Sequence, residues 1–230
     1  IAYSYQLFET RNANTLTKIF DIASSLVHGN LYRVIPNVYA LEIADKYDRA
    51  MFFCKYQEFY ESPMPHIRGK YFTLEEFMRA YKVYRNEDVF TYPQDWEGYN
   101  IPSDILDRAV DVFQNDSDSD RMMEQIYMLC EADSGGKFYL IGVDNIESAT
   151  YKHEMAHALW YTDKKYKTKT KRLLRKIDRE LYGRFEKKLL KMGYPEIVHE
   201  DEIQAYLCHG WRVPHHSQVF RDNLNHFLNQ

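Results

Sequence analysis

The sequence predicts an α+β fold, mostly helical with a small sheet, and three observations carry this. Apolar residues recur at spacings of three and four in several windows, the period of a helix with one buried face. Thr73-Leu74-Glu75-Glu76 is a capping box, in which the Thr and Glu side chains satisfy backbone N–H groups at the helix start. Lys137 to Val143 is a short, apolar, β-rich run entered through Ser134-Gly135-Gly136, which predicts a strand after a turn.

The elements follow in order. Residues 14 to 28 predict a short amphipathic helix, with Leu16, Ile19, Phe20, Ala23, Leu26 and Val27 as its stripe and Gly29-Asn30 as its stop. Leu31 to Ile43 reads as extended, with Pro36 allowing at most an interrupted strand. Asp48 to Tyr60 predicts an aromatic helix, and Glu61 to Gly69, with two prolines, a loop. The capped helix runs to about Tyr84, with Phe72 and Phe77 placed for a hydrophobic staple. Tyr92 to Asn100 reads as an aromatic loop, followed by a helix capped by Ser103 or Asp104 and ending at Phe113. Asp116-Ser117-Asp118-Ser119-Asp120 has the look of a calcium loop, but Arg121 stands where that loop needs Gly and Tyr127 where it needs Glu. It reads instead as a polar linker capping a helix from Arg121 to Cys130. Arg179 to Lys191 predicts a further helix, stopped by Gly193 and Pro195.

Composition narrows the function classes. The chain has 230 residues, enough for a sizeable core, with 45% hydrophobic and 28% charged residues, an ordinary globular balance. Its net charge of −4 gives no bulk attraction to nucleic acid or to an anionic membrane. Twenty Tyr raise the aromatic share to 16%, which fits an aromatic-rich core. Cys54, Cys130 and Cys208 are odd in number and set among apolar neighbours, so buried free thiols are expected. Neither a signal peptide nor a membrane-spanning run is visible, and a cytoplasmic protein is expected. Lys164 to Lys176 carries eight basic residues, read as a solvated helix face.

The chemistry concentrates in His153-Glu154-Met155-Ala156-His157. On a helix, residues four apart share a face, so both imidazoles can point at one metal ion. Glu154 is placed to act as general base on a metal-activated water. A catalytic zinc site takes three protein ligands and leaves a fourth position for water. For the third ligand the residues leave alternatives open. Asp163 follows the motif, but Trp160 stands where a turn would need Gly. Further on, Glu200-Asp201-Glu202-Ile203-Gln204-Ala205-Tyr206-Leu207 has an apolar face at helical spacing, with Asp201 at the helix start. Glu202, Glu200 and His199 are its candidate ligands, and Cys208 is a remoter one.

The D-E-x-x-A-Y pattern some forty residues after H-E-x-x-H resembles the gluzincin group of zinc metallopeptidases, most of all its compact, minigluzincin-like members. The resemblance covers roughly residues 137 to 210. The expected organisation is a zincin-like core over 117–230, with a small mixed sheet beside the motif helix, and a mainly helical part of the same globular unit over residues 1–116, to which the resemblance does not extend. The resemblance also implies Zn2+ held by His153, His157 and Glu202. Tyr206 is the candidate oxyanion donor, with His199 and His209 as alternatives. In zincins a strand near this place lines the cleft, so Lys137 to Val143 is expected to border it and to pair along its edge with an extended peptide or protein substrate. The rival expectation is a non-catalytic, zinc-stabilised interaction or regulatory module, or a bacterial effector, with the site closed by a fourth protein ligand. A second rival, a metallopeptidase acting on nucleic-acid-bound proteins, rests on the basic stretch alone; neither nucleic acid nor a membrane is the expected partner.

Overall fold

The computed structural model describes residues 17–23, 28–114 and 116–229. Its fold is α+β, and the chain divides into two compact units, 1–146 and 147–230.

The first unit is built on a five-stranded sheet. Strands β1 (Thr17–Ala23), β2 (His28–Ile35), β3 (Val38–Glu42), β4 (Tyr99–Pro102) and β5 (Tyr139–Val143) lie in the order β1-β2-β3-β5-β4. Only the β3–β5 pair is parallel, so the sheet is mixed. β2 and β3 form a hairpin closed at Pro36-Asn37, where Asn37 takes φ 63°, a conformation Asn tolerates better than most residues. Leu31 then faces Leu41 across the ladder.

Two expectations are corrected here. Residues 17–23 are a strand, with Asp21 paired to Asn30. The helical stripe expected over 14–28 fits alternation equally well in so short a window, and Thr17, Ile19 and Ile22 are β-branched, which tips it toward a strand. Residues 14–16 and 24–27, including Leu16, Leu26 and Val27, lie outside the described residues. The second correction concerns β5. Leu140 pairs with Tyr39 on one side and with Ile101 on the other, and all five residues of the strand are buried. β5 therefore offers no free edge to a peptide. Its continuous apolar run is the mark of a strand covered on both faces.

Five helices dress this sheet. α1 (Lys46–Glu61) starts at Asp45, whose side chain accepts from the Asp48 N–H at 2.8 Å, and it buries Phe52, Phe53, Tyr56 and Phe59. A Cβ added at Gly142 of β5 would meet the Phe53 ring at 2.4 Å, so only glycine lets helix and strand approach this closely. α2 (Leu74–Arg85) has the expected reciprocal capping box, and the Phe72 and Phe77 rings meet at 5.9 Å. The aromatic segment after it holds a single turn, α3 (Tyr92–Asp95), and then β4. α4 (Ser103–Phe113) has no side-chain cap; the Ser103 hydroxyl accepts from the Phe138 N–H at 3.0 Å instead. α5 (Asp118–Ser134) is capped by Ser117. Buried Asp120 accepts from Lys55 Nζ at 2.8 Å and from the Tyr56 hydroxyl at 3.0 Å, so the acidic run serves capping and pairing. The compact units divide after Ile146 and not near residue 116, because β5 is hydrogen-bonded to β3 and β4.

The second unit is helical: α6 (Ala149–Thr162), α7 (Lys164–Leu174), α8 (Arg179–Met192), a 3-10 turn (Glu196–Val198), α9 (His199–Cys208) and α10 (Pro214–Leu228). α9 lies against α6, α7, α8 and α10. Ser148 caps α6 by accepting from the Tyr151 N–H at 3.0 Å. Residues Glu154 to Trp160 are buried without a break, so α6 is apolar nearly all round, as a helix sealed by neighbours must be. Each fully buried large side chain on it, Met155 or Leu159, contributes about 1.5–3 kcal/mol. The Tyr166 hydroxyl donates to Gln204 Oε1 at 2.7 Å, fixing α7 to α9. Cys54, Cys130 and Cys208 are free and buried. Among the described residues no helix is long and apolar enough to cross a membrane.

Candidate metal centre

The site is built where α6 and α9 meet. His153 and His157 are one turn apart on α6, and Glu202 comes from the first turn of α9. One donor atom from each lies within 4.8 Å of the others, the one such grouping of His, Cys, Asp and Glu donors among the described residues. The two Nε2 atoms stand 3.2 Å apart, and His157 Nε2 is 3.8 Å from Glu202 Oε1. Zinc–nitrogen bonds of about 2.0–2.1 Å in a tetrahedron put two imidazole nitrogens about 3.3–3.4 Å apart. The imidazole pair matches that spacing, and the carboxylate is a few tenths of an ångström wide of it. Two imidazoles and one carboxylate are also a donor set that zinc takes at catalytic centres.

Both imidazoles are held from behind. His157 Nδ1 donates to Asp201 Oδ1 at 3.0 Å, and His153 Nδ1 lies 3.3 Å from the His209 carbonyl oxygen. With each Nδ1 facing an acceptor, the two Nε2 atoms face one another and are the nitrogens left to a metal, that of His157 once it gives up its proton. Asp201 was expected only to line the helix start. Its role was hidden because its partner is 44 residues away in sequence; the available signal was a carboxylate directly preceding the presumed ligand.

Electrostatics follow from burial. Burial, and then neighbouring His157, push His153 down to about 3, so it stays neutral. Burial alone would do the same to His157, but the Asp201 and Glu202 carboxylates hold it well above the ordinary histidine value. Glu154 is buried and close enough to both His157 and Tyr206 to raise their pKa values, yet it is not among the three mutually close donors. It therefore lies beside the two imidazoles' helix face without belonging to the group of three.

Tyr206 lies one turn after Glu202. Its ring meets His153 edge-on at 4.7 Å and stacks on Trp211 at 4.9 Å, and its hydroxyl is 3.5 Å from that of Tyr194. Burial pushes its phenol up to about 12, so it remains a donor at neutral pH. Gly210, at φ 129°, keeps this ring in place; a Cβ there would sit 3.0 Å from Tyr206 Cδ1.

The alternative ligands are engaged elsewhere. Asp163 ends α6 and caps α7, accepting from the Lys165 and Tyr166 N–H groups at 2.7 and 2.9 Å. Glu200 pairs with Lys171 at 2.8 Å. Cys208 Sγ donates to the Phe220 carbonyl at 3.5 Å. His199 is buried with Nε2 3.1 Å from the Tyr194 carbonyl oxygen. The side chain of His209 is lowered in pKa by partial burial and by Lys152 and Arg221; its carbonyl, not its ring, meets His153.

No protein-family model matches this chain, and no curated protein or solved structure does.

Proposed function

We propose that the chain is a zinc-dependent metallopeptidase that hydrolyses peptide bonds with Glu154 as general base. The observation that carries the reading is the convergence of His153, His157 and Glu202 on one point, with Glu154 beside it and no fourth donor grouped with them among the described residues. Structural zinc sites are closed by four protein ligands, and catalytic ones keep a position open. His153 is only partly buried, and Lys152 beside it is exposed, which supports an approach for solvent on that side of the site.

Bound there, zinc supplies a Lewis acid and brings a water within reach of deprotonation at neutral pH. The chain's own groups do the rest. Asp201 and the His209 carbonyl orient the two imidazoles. Glu154 takes the proton of the attacking water and returns it to the leaving amine, as a carboxylate of suitable pKa within reach can. Tyr206, neutral and held by Trp211 and Tyr194, donates to the oxyanion formed from the scissile carbonyl.

The rival reading is a non-catalytic, zinc-stabilised interaction module. The observation favouring it is β5, which is paired on both sides and so removes the sheet edge on which an extended peptide was expected to lie. A peptidase then binds substrate on another surface. The experiment that separates the two is metal analysis of the purified chain, then a proteome-derived peptide cleavage screen of the wild type against Glu154→Gln. The peptidase reading predicts cleavage by the wild type alone, with equal metal in both. Equal metal and no cleavage by either supports the module.

A further inference from the structure

The second unit is far more basic than the chain as a whole. Residues 147–230 hold sixteen Lys and Arg against eleven Asp and Glu, whereas 1–146 hold fourteen against twenty-three. The excess sits on α7 and α8: residues 164–191 carry thirteen cations against three carboxylates. Eleven of the thirteen are exposed, and of the three carboxylates Asp178 caps α8. So much like charge on two successive helices, both packed against α9, repels itself, and an anionic partner relieves that repulsion.

The cations also lead to the metal centre. Lys167 and Lys171 lie over the Trp160 ring at 4.8 and 5.5 Å, and Trp160 is three residues beyond His157 on α6. Lys188 lies 4.8 Å over Trp211, which stacks on Tyr206, whose ring meets His153. On the α8 side, two aromatic side chains join the basic surface to a ligand; on the α7 side, the lysines cover a ring carried by the ligand helix itself. Resting on the metallopeptidase reading above, we infer that the α7–α8 surface selects acidic polypeptide substrates, holding an acidic segment while the adjoining bond is presented to Glu154.

The aromatic content argues for polypeptide over nucleic acid. Trp160 and Trp211 are each 8% exposed with faces covered by lysines or rings, and Tyr166 and Phe185 are buried, which leaves none of these rings open for base stacking. Leu190 and Met192 are exposed on the helix that carries Lys187, Lys188 and Lys191, ground that suits apolar residues interspersed among acidic ones.

The test uses the full chain carrying Glu154→Gln and two fluorescein-labelled 20-residue peptides, one alternating Glu with Leu and Ser, the other with Gln in place of Glu. Fluorescence anisotropy is read at 50 and 300 mM NaCl. The expected result is at least tenfold tighter binding of the acidic peptide, weakened at least tenfold by the higher salt. Lys187→Glu/Lys188→Glu/Lys191→Glu on α8 and Lys165→Glu/Lys169→Glu/Arg172→Glu on α7 each lower its affinity at least fivefold with unchanged circular dichroism. Equal binding of the two peptides overturns the proposal. So does tighter binding of a 20-base-pair duplex or of phosphatidylserine vesicles than of the acidic peptide. Because this binding needs no turnover, selective binding without cleavage of any peptide by the wild type would defeat the hydrolase reading and leave the surface assignment standing. Cleavage of neutral peptides without selective binding would do the reverse.

Discussion

Asp201 offers the sharpest perturbation of the metal centre because it touches a ligand without being one. Its Oδ1 accepts from His157 Nδ1 at 3.0 Å and also from Gln204 Nε2 at 3.0 Å. Asp201→Ala removes the acceptor that fixes the His157 tautomer and the negative charge that raises the basicity of its ring. Losing such a carboxylate partner costs roughly 10–100-fold in metal affinity, or about 1.4–2.7 kcal/mol. Asp201→Asn keeps an acceptor oxygen at the same reach but loses the charge, and falls between wild type and Ala. The assay is zinc competition against a chromophoric chelator at fixed pH and salt, with circular dichroism to show that α9 persists. Wild-type affinity in Asp201→Ala would refute the reasoning, since His157 would then be held by something else. Loss of zinc as complete as that of a ligand variant would also refute it, making Asp201 itself a ligand.

Further outcomes follow from the same geometry. Glu202→Ala lowers zinc affinity far more than Glu200→Ala, whose carboxylate pairs with Lys171; equal losses in the same competition assay would remove Glu202 from the ligand set. Glu154→Gln keeps one zinc per chain and the fold but abolishes hydrolysis, because an amide of the same shape accepts no proton at neutral pH; loss of zinc by metal analysis would make Glu154 a ligand. In the first unit, burial pushes Glu58 up to about 7 from its ordinary 4.5, against a lowering by the Ser62 hydroxyl. A raised folded-state value favours the neutral acid, so its stabilising contribution is complete below pH 4.5 and is lost as pH rises through about 7. Over that span linkage allows up to about 3 kcal/mol. Glu58→Gln flattens the pH dependence of urea unfolding between those limits; an unchanged slope would show that the carboxyl is not held neutral.

The parts of the fold that local chemistry writes were readable in the sequence. The Thr73 capping box, the Gly193 helix end and the four-residue spacing of His153 and His157 depend on neighbours within one turn, and all are present; the helix expected to stop at Cys130 runs on to Ser134. Glu202 was reached through a resemblance, and the structure brings it to the two imidazoles. What stayed hidden depends on partners distant in sequence. β1 carries residues that fit either period, and its pairing with β2 decides. β4 is four residues long and ends in Pro102, so nothing in its sequence announced a strand, and without it β5 read as an edge. The engagement of Asp201 with His157, and of the α7 lysines with Trp160, requires helices to be packed before it can be seen.

The central claim is that His153, His157 and Glu202 hold one zinc and leave a position open. Anomalous diffraction at the zinc edge from crystals of the zinc-loaded chain tests it most directly. The expected result is one zinc peak bounded by the two Nε2 atoms and the Glu202 carboxylate, with no fourth protein ligand. A peak with Asp163 or Glu200 in the shell, or one closed by a fourth protein side chain, would contradict it.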